Sequence, residues 1–142
     1  MTTKAFIDTN IFLYRVLQNP KDDPIELARK QAIATEITNS QNLTISTQVI
    51  NETSANLIKK GKFKEEAVRQ FINALYRRYQ IAQLDSATFL RASHLRQNYS
   101  FSYWDSLIVA SALEAKAEIL YSEDMQHELI VDNQIQIINP FQ

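Results

Sequence analysis

The chain has no cysteine, one glycine and two histidines, and each scarcity removes a class of chemistry. Without cysteine there is no disulfide framework, no thiolate zinc site and no thiol nucleophile. His94 and His127 stand far apart and make no His-x-x-x-His spacing, so a zinc hydrolase fits poorly. P-loops, dinucleotide fingerprints and nucleophile elbows need several glycines for the backbone to turn and close on a ligand. Gly61 alone cannot supply them. No apolar run approaches the roughly 18 residues of a membrane span, and no basic segment followed by an apolar stretch opens the chain. A cytoplasmic protein without membrane contact is expected. The net charge of −1 leaves any nucleic-acid footprint to local clusters.

What remains is a chain able to bury a core. Of its 142 residues, 45% are apolar and 22% charged, as in soluble globular domains, and the length suits one domain spanning 1–142. Short strand-like runs lie at 4–8, 43–46, 80–84, 119–122 and 135–138, with helical patterns between them. Asp22-Asp23-Pro24 reads as a helix start. Thr47 and Ser86 read as N-caps, and Gly61 as a C-cap. On the helix from Trp104 onward, Trp104, Leu107, Ile108, Ser111, Ala112 and Ala115 share an inward face. On the one from Ser86, Phe89, Leu90 and Leu95 do so. A short helix is expected over 125–129. Strands alternating with helices imply an α/β fold in three layers, a central parallel sheet of about five strands with helices on both faces.

Four carboxylates fall where such a fold gathers ligands, beyond the carboxyl ends of its strands. Asp8 ends the first run, Glu52 lies in the helix after the second, and Asp124 follows the fourth, with Glu123 beside it as an alternative. Asp105 opens the helix leading into that fourth run and joins the others if its helix starts at the same edge. Each acid also has a plainer reading. Asp8 and Asp124 are able to cap helices, Asp105 to complement a helix dipole and Glu52 to face water. Together, oxygen-only ligands of this kind suit magnesium or manganese, and such metals usually act on phosphates.

The motifs resemble those of PIN domains. Phe6-Ile7-Asp8-Thr9-Asn10-Ile11-Phe12-Leu13-Tyr14 is similar to their opening, and Gln48-Val49-Ile50-Asn51-Glu52 to their second acidic motif. Phe101-Ser102-Tyr103-Trp104-Asp105-Ser106-Leu107-Ile108-Val109-Ala110-Ser111-Ala112 resembles the third and most specific one. Ile119-Leu120-Tyr121-Ser122-Glu123-Asp124-Met125 is similar to the fourth. At this length the chain most resembles the stand-alone VapC-type toxins of toxin–antitoxin pairs. The segment after Asp124 lacks a glycine that many relatives carry.

The resemblance implies a PIN-like fold and a Mg2+- or Mn2+-dependent endoribonuclease, a hydrolase of phosphodiester bonds. It implies Asp8, Asp105, Glu52 and Asp124 as catalytic metal ligands, with Thr9, Asn10 and Ser122 hydrogen-bonding behind them. It further implies a cognate antitoxin protein and a homodimer. An antitoxin arginine would suit an acidic groove, since its planar fork pairs with carboxylates.

RNA contacts are harder to read. Lys59, Lys60, Lys62 and Lys64 form the densest basic cluster and suit phosphates, though lysines at a helix end also complement its dipole. Phe101, Tyr103 and Trp104 are candidates for stacking bases, while core packing is the simpler expectation for Trp104. Other readings are a PIN-like nuclease of RNA processing without an antitoxin, or a catalytically silent RNA- or protein-binding module. A dehalogenase-type phosphatase using Asp8 as nucleophile would want a second aspartate where Asn10 stands.

Overall fold

The computed structural model describes residues 3–18 and 21–142. Of the loose stretch read at 19–23, Asn19 and Pro20 lie outside the described residues. Along the chain come β1 (Ala5–Ile7), α1 (Thr9–Val16), α2 (Pro24–Asn39), β2 (Leu43–Ser46), α3 (Thr47–Lys59) and α4 (Glu65–Arg78). Then follow β3 (Gln80–Ala82), α5 (Ser86–Asn98), α6 (Tyr103–Glu114), β4 (Ile119–Tyr121), β5 (Ile130–Val131) and β6 (Ile135–Ile138).

The sheet has the order β3-β2-β1-β4-β6-β5. Every neighbouring pair is parallel except β5 with β6, which is antiparallel. The α/β architecture and the five parallel strands agree with the sequence reading, and β5 adds a sixth strand at the edge. At two residues β5 is too short to leave a periodic trace. The chain steps from β1 to β2 to β3 in one direction, then returns past β1 to β4. Right-handed crossovers therefore put α1 to α4 on one face and α5 with α6 on the other. The helix packing agrees: α1 meets α2 and α3, α3 meets α4, and α5 meets α6. The order reverses between β1 and β4, which makes their carboxyl ends the switch point of the sheet.

Several local expectations are corrected. Ser46, not Thr47, caps α3: its backbone is extended and its side chain accepts from the Val49 N–H. Asp85, not Ser86, caps α5, in a reciprocal capping box with Thr88. The helix expected at 125–129 is absent. Glu128 there takes φ 70°, a left-handed value that a helix of L-residues does not tolerate, and its N–H donates to the Ile137 carbonyl. α6 is buried on every side from Ser106 to Leu113, but its first turn emerges from the core. Trp104 is 64% exposed and so does not belong to the inward face assigned to it. On α5 only Leu95 of the expected trio is buried, with Phe89 47% and Leu90 65% exposed.

Gly61 follows the end of α3, but its φ is not positive; the left-handed residue is Lys62, at φ 53°. Close approach is what requires the glycine. A Cβ at Gly61 would lie 2.7 Å from Leu17 Cδ2 and 2.9 Å from both the Leu57 carbonyl oxygen and Phe63 Cδ1. Backbone cannot give way as a side chain does, so Gly61→Ala is expected to cost about 1–3 kcal/mol. Denaturant unfolding checks this, and a midpoint equal to wild type would show that the turn relaxes freely.

The core is one cluster around the sheet, with Phe6, Ile7, Ile45, Leu120 and Ile137 wholly buried between the helix layers. Among the described residues no helix is long and apolar enough to cross a membrane.

Candidate active site

The three motifs at the switch point are brought together by strand pairing. β1 lies between β2 and β4, with Ile7 opposite Tyr121 and Phe6 opposite Thr44. The residues just past these strand ends therefore share one edge. α5 and α6 run antiparallel, since Arg96 bonds Ser106 near one end while Arg91 bonds Glu114 near the other. This returns the start of α6 to the edge where Asp8 sits. The result is one cleft of about 330 Å³, lined by Asp8, Glu52, Asp105 and Asp124 together with Asn10 and Asn56.

Thr9, Asn10 and Ser122 hold three of these acids in place. Asp8 is 5% exposed. It caps α1 by accepting from the Thr9 N–H at 2.7 Å, so the capping role and the cleft position coincide. Ser122, fully buried, donates from Oγ to Asp8 Oδ2 at 2.8 Å and accepts from the Asp124 N–H at 3.3 Å. Thr9 Oγ1 donates to Glu52 Oε1, and Asn10 Nδ2 donates to Asp124 Oδ2, each at 2.9 Å. Three of the four carboxylates, Asp8, Glu52 and Asp124, are thus tied through three neutral side chains, while Asp105 is held by the Ser102 hydroxyl that caps its helix.

The electrostatics follow from burial and crowding. Burial pushes the Asp8 carboxyl up to about 7, against the opposing pull of the Ser122 and Thr9 hydrogen bonds. The negative charges of Glu52 and Asp105 add to the rise. Asp105 is also raised above the usual carboxylate range, by burial first and by the Asp124 charge, while the Ser102 hydroxyl opposes this. Such a site resists holding all its negative charge unless a cation enters.

Glu123 is occupied elsewhere. Tyr14 Oη donates to its Oε1 and Lys30 Nζ to its Oε2, each at 2.7 Å, and Lys30 sits over the Tyr14 ring. Its carboxylate is therefore engaged by Tyr14 and Lys30, while Asp124 lines the cleft. The sequence reading missed Tyr14 and Lys30, because nothing in the pattern of α2 marks one lysine as reaching across to the loop after β4.

The lysines divide. Lys60 lines a cavity of about 540 Å³ that shares Asn10 and Leu13 with the acidic cleft. Lys59, Lys62 and Lys64 are exposed but line neither space. On α3, Val49, Ile50, Thr53 and Leu57 are buried while Ile58 is exposed. Glu52 and Asn56 line the cleft.

The family model described as "PIN domain" matches residues 5–130. The chain belongs to the PIN domain family. As a fold, this PIN domain is similar to a toxin–antitoxin complex from Klebsiella pneumoniae, at 19% identity and a TM-score of 0.66, over 96% of this chain and 98% of that one. It is similar to VapBC2 from Rickettsia felis, solved bound to a promoter DNA fragment, at 17% identity and a TM-score of 0.64, over 95% and 97%. It is also similar to VapC20 of Mycobacterium tuberculosis, described as a sarcin–ricin loop cleaving toxin, at 17% identity and a TM-score of 0.63, over 85% and 90%. No curated protein matches the chain.

PIN domain nucleases generally use divalent metals, and the residues present suit one chemically. The cleft offers carboxylate oxygens, backed by hydroxyl and amide donors, with no sulfur or imidazole lining it; that is a donor set for a hard cation. The acids ring the cleft rather than meet at a point. Among the described residues no three histidine, aspartate or glutamate side chains stand close enough to form a closed metal site.

Proposed function

We propose that this PIN domain is a Mg2+- or Mn2+-dependent endoribonuclease and the toxin of a toxin–antitoxin pair. One observation carries the reading: four carboxylates of the family's motifs line a single cleft at the switch point of the sheet. A divalent cation, when bound, supplies positive charge for the phosphoryl oxygens and acidifies water. Asp8 and Asp105 would hold it most directly, with Glu52 and Asp124 completing the set. Ser122, Thr9 and Asn10 keep Asp8, Glu52 and Asp124 aimed. Glu52 is also suited to accept a proton from the attacking water. Lys60, on the neighbouring cavity wall, is suited to meet the RNA backbone where it leaves the acidic cleft.

The partner reading is supported by the toxin–antitoxin complexes among the similar structures. An antitoxin segment bearing an arginine would place a cation-like fork among the same carboxylates. For a second copy of the chain, exposed Phe89 and Leu90 offer an apolar surface.

Purified protein incubated with unstructured and structured RNAs, in magnesium, in manganese and in chelator, tests the activity. Cleavage of single-stranded RNA only with metal, leaving 5′-phosphate ends, is expected. Cleavage that survives chelation would overturn the metal mechanism, and none under any condition would favour a silent binding module. Co-expression with the neighbouring reading frame tests the partner. A stable complex that blocks cleavage is expected, and a monomer whose cleavage ignores the neighbour would remove the toxin–antitoxin reading alone.

A further inference from the structure

We infer that the cavity beside Glu52, walled by Trp104, is a nucleobase subsite that holds a base of single-stranded RNA next to the cleavage cleft. The inference deepens the ribonuclease reading and rests on it. The cavity measures about 640 Å³ and is lined by Thr47, Gln48, Asn51, Gln83, Leu84 and Trp104. Glu52 also lines it, so one carboxylate borders both spaces.

Three features suit a base. The first is a tryptophan left 64% exposed yet held in place. Tyr103 meets its ring edge-on, with centroids 5.2 Å apart. The Arg96 guanidinium lies 4.7 Å from the Tyr103 centroid and anchors to Ser106 Oγ at 2.8 Å. Gln48 Nε2 donates to the Trp104 carbonyl at 3.2 Å, tying α3 to α6. An exposed indole braced at one edge by Tyr103, on a backbone tied to α3, is a stacking platform for a base.

The second feature is the lining chemistry. Asn51 and Gln83 are exposed amides, each carrying two donors and an acceptor, which suits the edge of a base rather than a phosphate. The third is an unmet acceptor. Gln48 lines the space and its Oε1 is buried with no hydrogen-bond partner among the described residues, a costly arrangement that a base N–H relieves once the amide turns toward the cavity. The space carries no lysine or arginine in its lining, so a backbone phosphate is the poorer occupant. The amides make it unlike a purely apolar surface for another protein.

Trp104 is the only tryptophan, so its emission reports on this subsite directly. Wild-type protein in calcium is titrated with single-stranded hexaribonucleotides rich in each of the four bases, recovered intact afterwards. Saturable quenching that differs between bases is expected. By anisotropy of a fluorescein-labelled hexamer, Trp104→Ala should weaken binding about ten- to hundredfold, and Trp104→Phe should retain most of it. Asn51→Ala and Gln83→Ala should flatten the preference among bases. Unquenched emission, or a Trp104→Ala protein that binds the hexamer as wild type does, overturns the subsite. So does a wild-type dimer that Trp104→Ala converts to monomer with RNA affinity unchanged, because the occupant is then a second copy. Magnesium-dependent cleavage of long RNA by wild type is scored separately. Cleavage without Trp104-dependent binding sinks only the subsite, whereas base-selective quenching without cleavage sinks only the nuclease reading.

Discussion

Asp8→Asn and Asp105→Asn are expected to lower RNA cleavage by about a thousandfold or more, and Asp8→Asn is expected to make the metal-free protein more stable. The first effect follows from removing a metal-binding carboxylate. The second follows from the pKa of Asp8. Its carboxyl is pushed up to about 7 from an ordinary 3.8, so the folded state disfavours the ionised form. The Asp8 contribution to stability is fully present below about pH 3.8 and is lost as pH rises through about 7. Above that, the penalty of the buried charge is on the order of 4 kcal/mol at most. Asparagine has no charge to bury, and its side-chain oxygen is able to accept from the Thr9 N–H as Asp8 does. In chelator, the melting temperature of Asp8→Asn should therefore exceed that of wild type by several degrees at pH 8, with little difference near pH 4. Added magnesium should raise wild type more than the variant, because only the state that binds is stabilised. A variant that melts well below wild type at every pH would mean that the buried charge of Asp8 is not what limits the stability of the metal-free protein.

The parts of the fold legible in the sequence are those where one physical requirement dominates. β1 and β2 are buried along their length; β1 reads as an apolar run, and β2 as Leu43 and Ile45 alternating with the small hydroxyl residues Thr44 and Ser46. Asp23-Pro24 announces α2 because a cap and a first-turn proline have little other use there. The grouping of the four acids was legible through motif spacing, and the parallel pairing of β1 with β2 and β4 explains why Asp8, Glu52 and Asp124, far apart in sequence, line one cleft. Trp104 was misread because helical periodicity identifies a face but not where along the axis a helix leaves the core. α6 is apolar on all sides, so its pattern carries little directional information. The same limit applies to Phe89 and Leu90. Gly61 was assigned to a backbone angle when its cause is crowding by Leu17, Leu57 and Phe63, contacts that local sequence does not encode. Glu123 and Asp124 are adjacent acids that the sequence does not tell apart, and Lys30 and Tyr14, which engage Glu123, come from distant segments.

Ser122→Ala should lower cleavage about ten- to hundredfold although the hydroxyl lies behind the carboxylates. The side chain is wholly buried and bridges two of the acidic segments, donating to Asp8 Oδ2 and accepting from the Asp124 N–H. Its loss removes a hydrogen bond that holds the Asp8 carboxyl down, so Asp8 should titrate still higher. It also leaves a backbone N–H without its acceptor at the start of the loop that presents Asp124. Two readouts separate positioning from simple destabilisation. The magnesium midpoint for cleavage should move to higher concentration, because an acid that ionises less readily binds the cation less readily. The acid limb of the rate-against-pH profile should move to higher pH for the same reason. A general structural role would lower the melting temperature, by the roughly 1–3 kcal/mol of an unmet buried partner, and leave both of these unchanged. If midpoint and acid limb stay at wild-type values while only the melting temperature falls, Ser122 supports the strand end and does not tune the carboxylates.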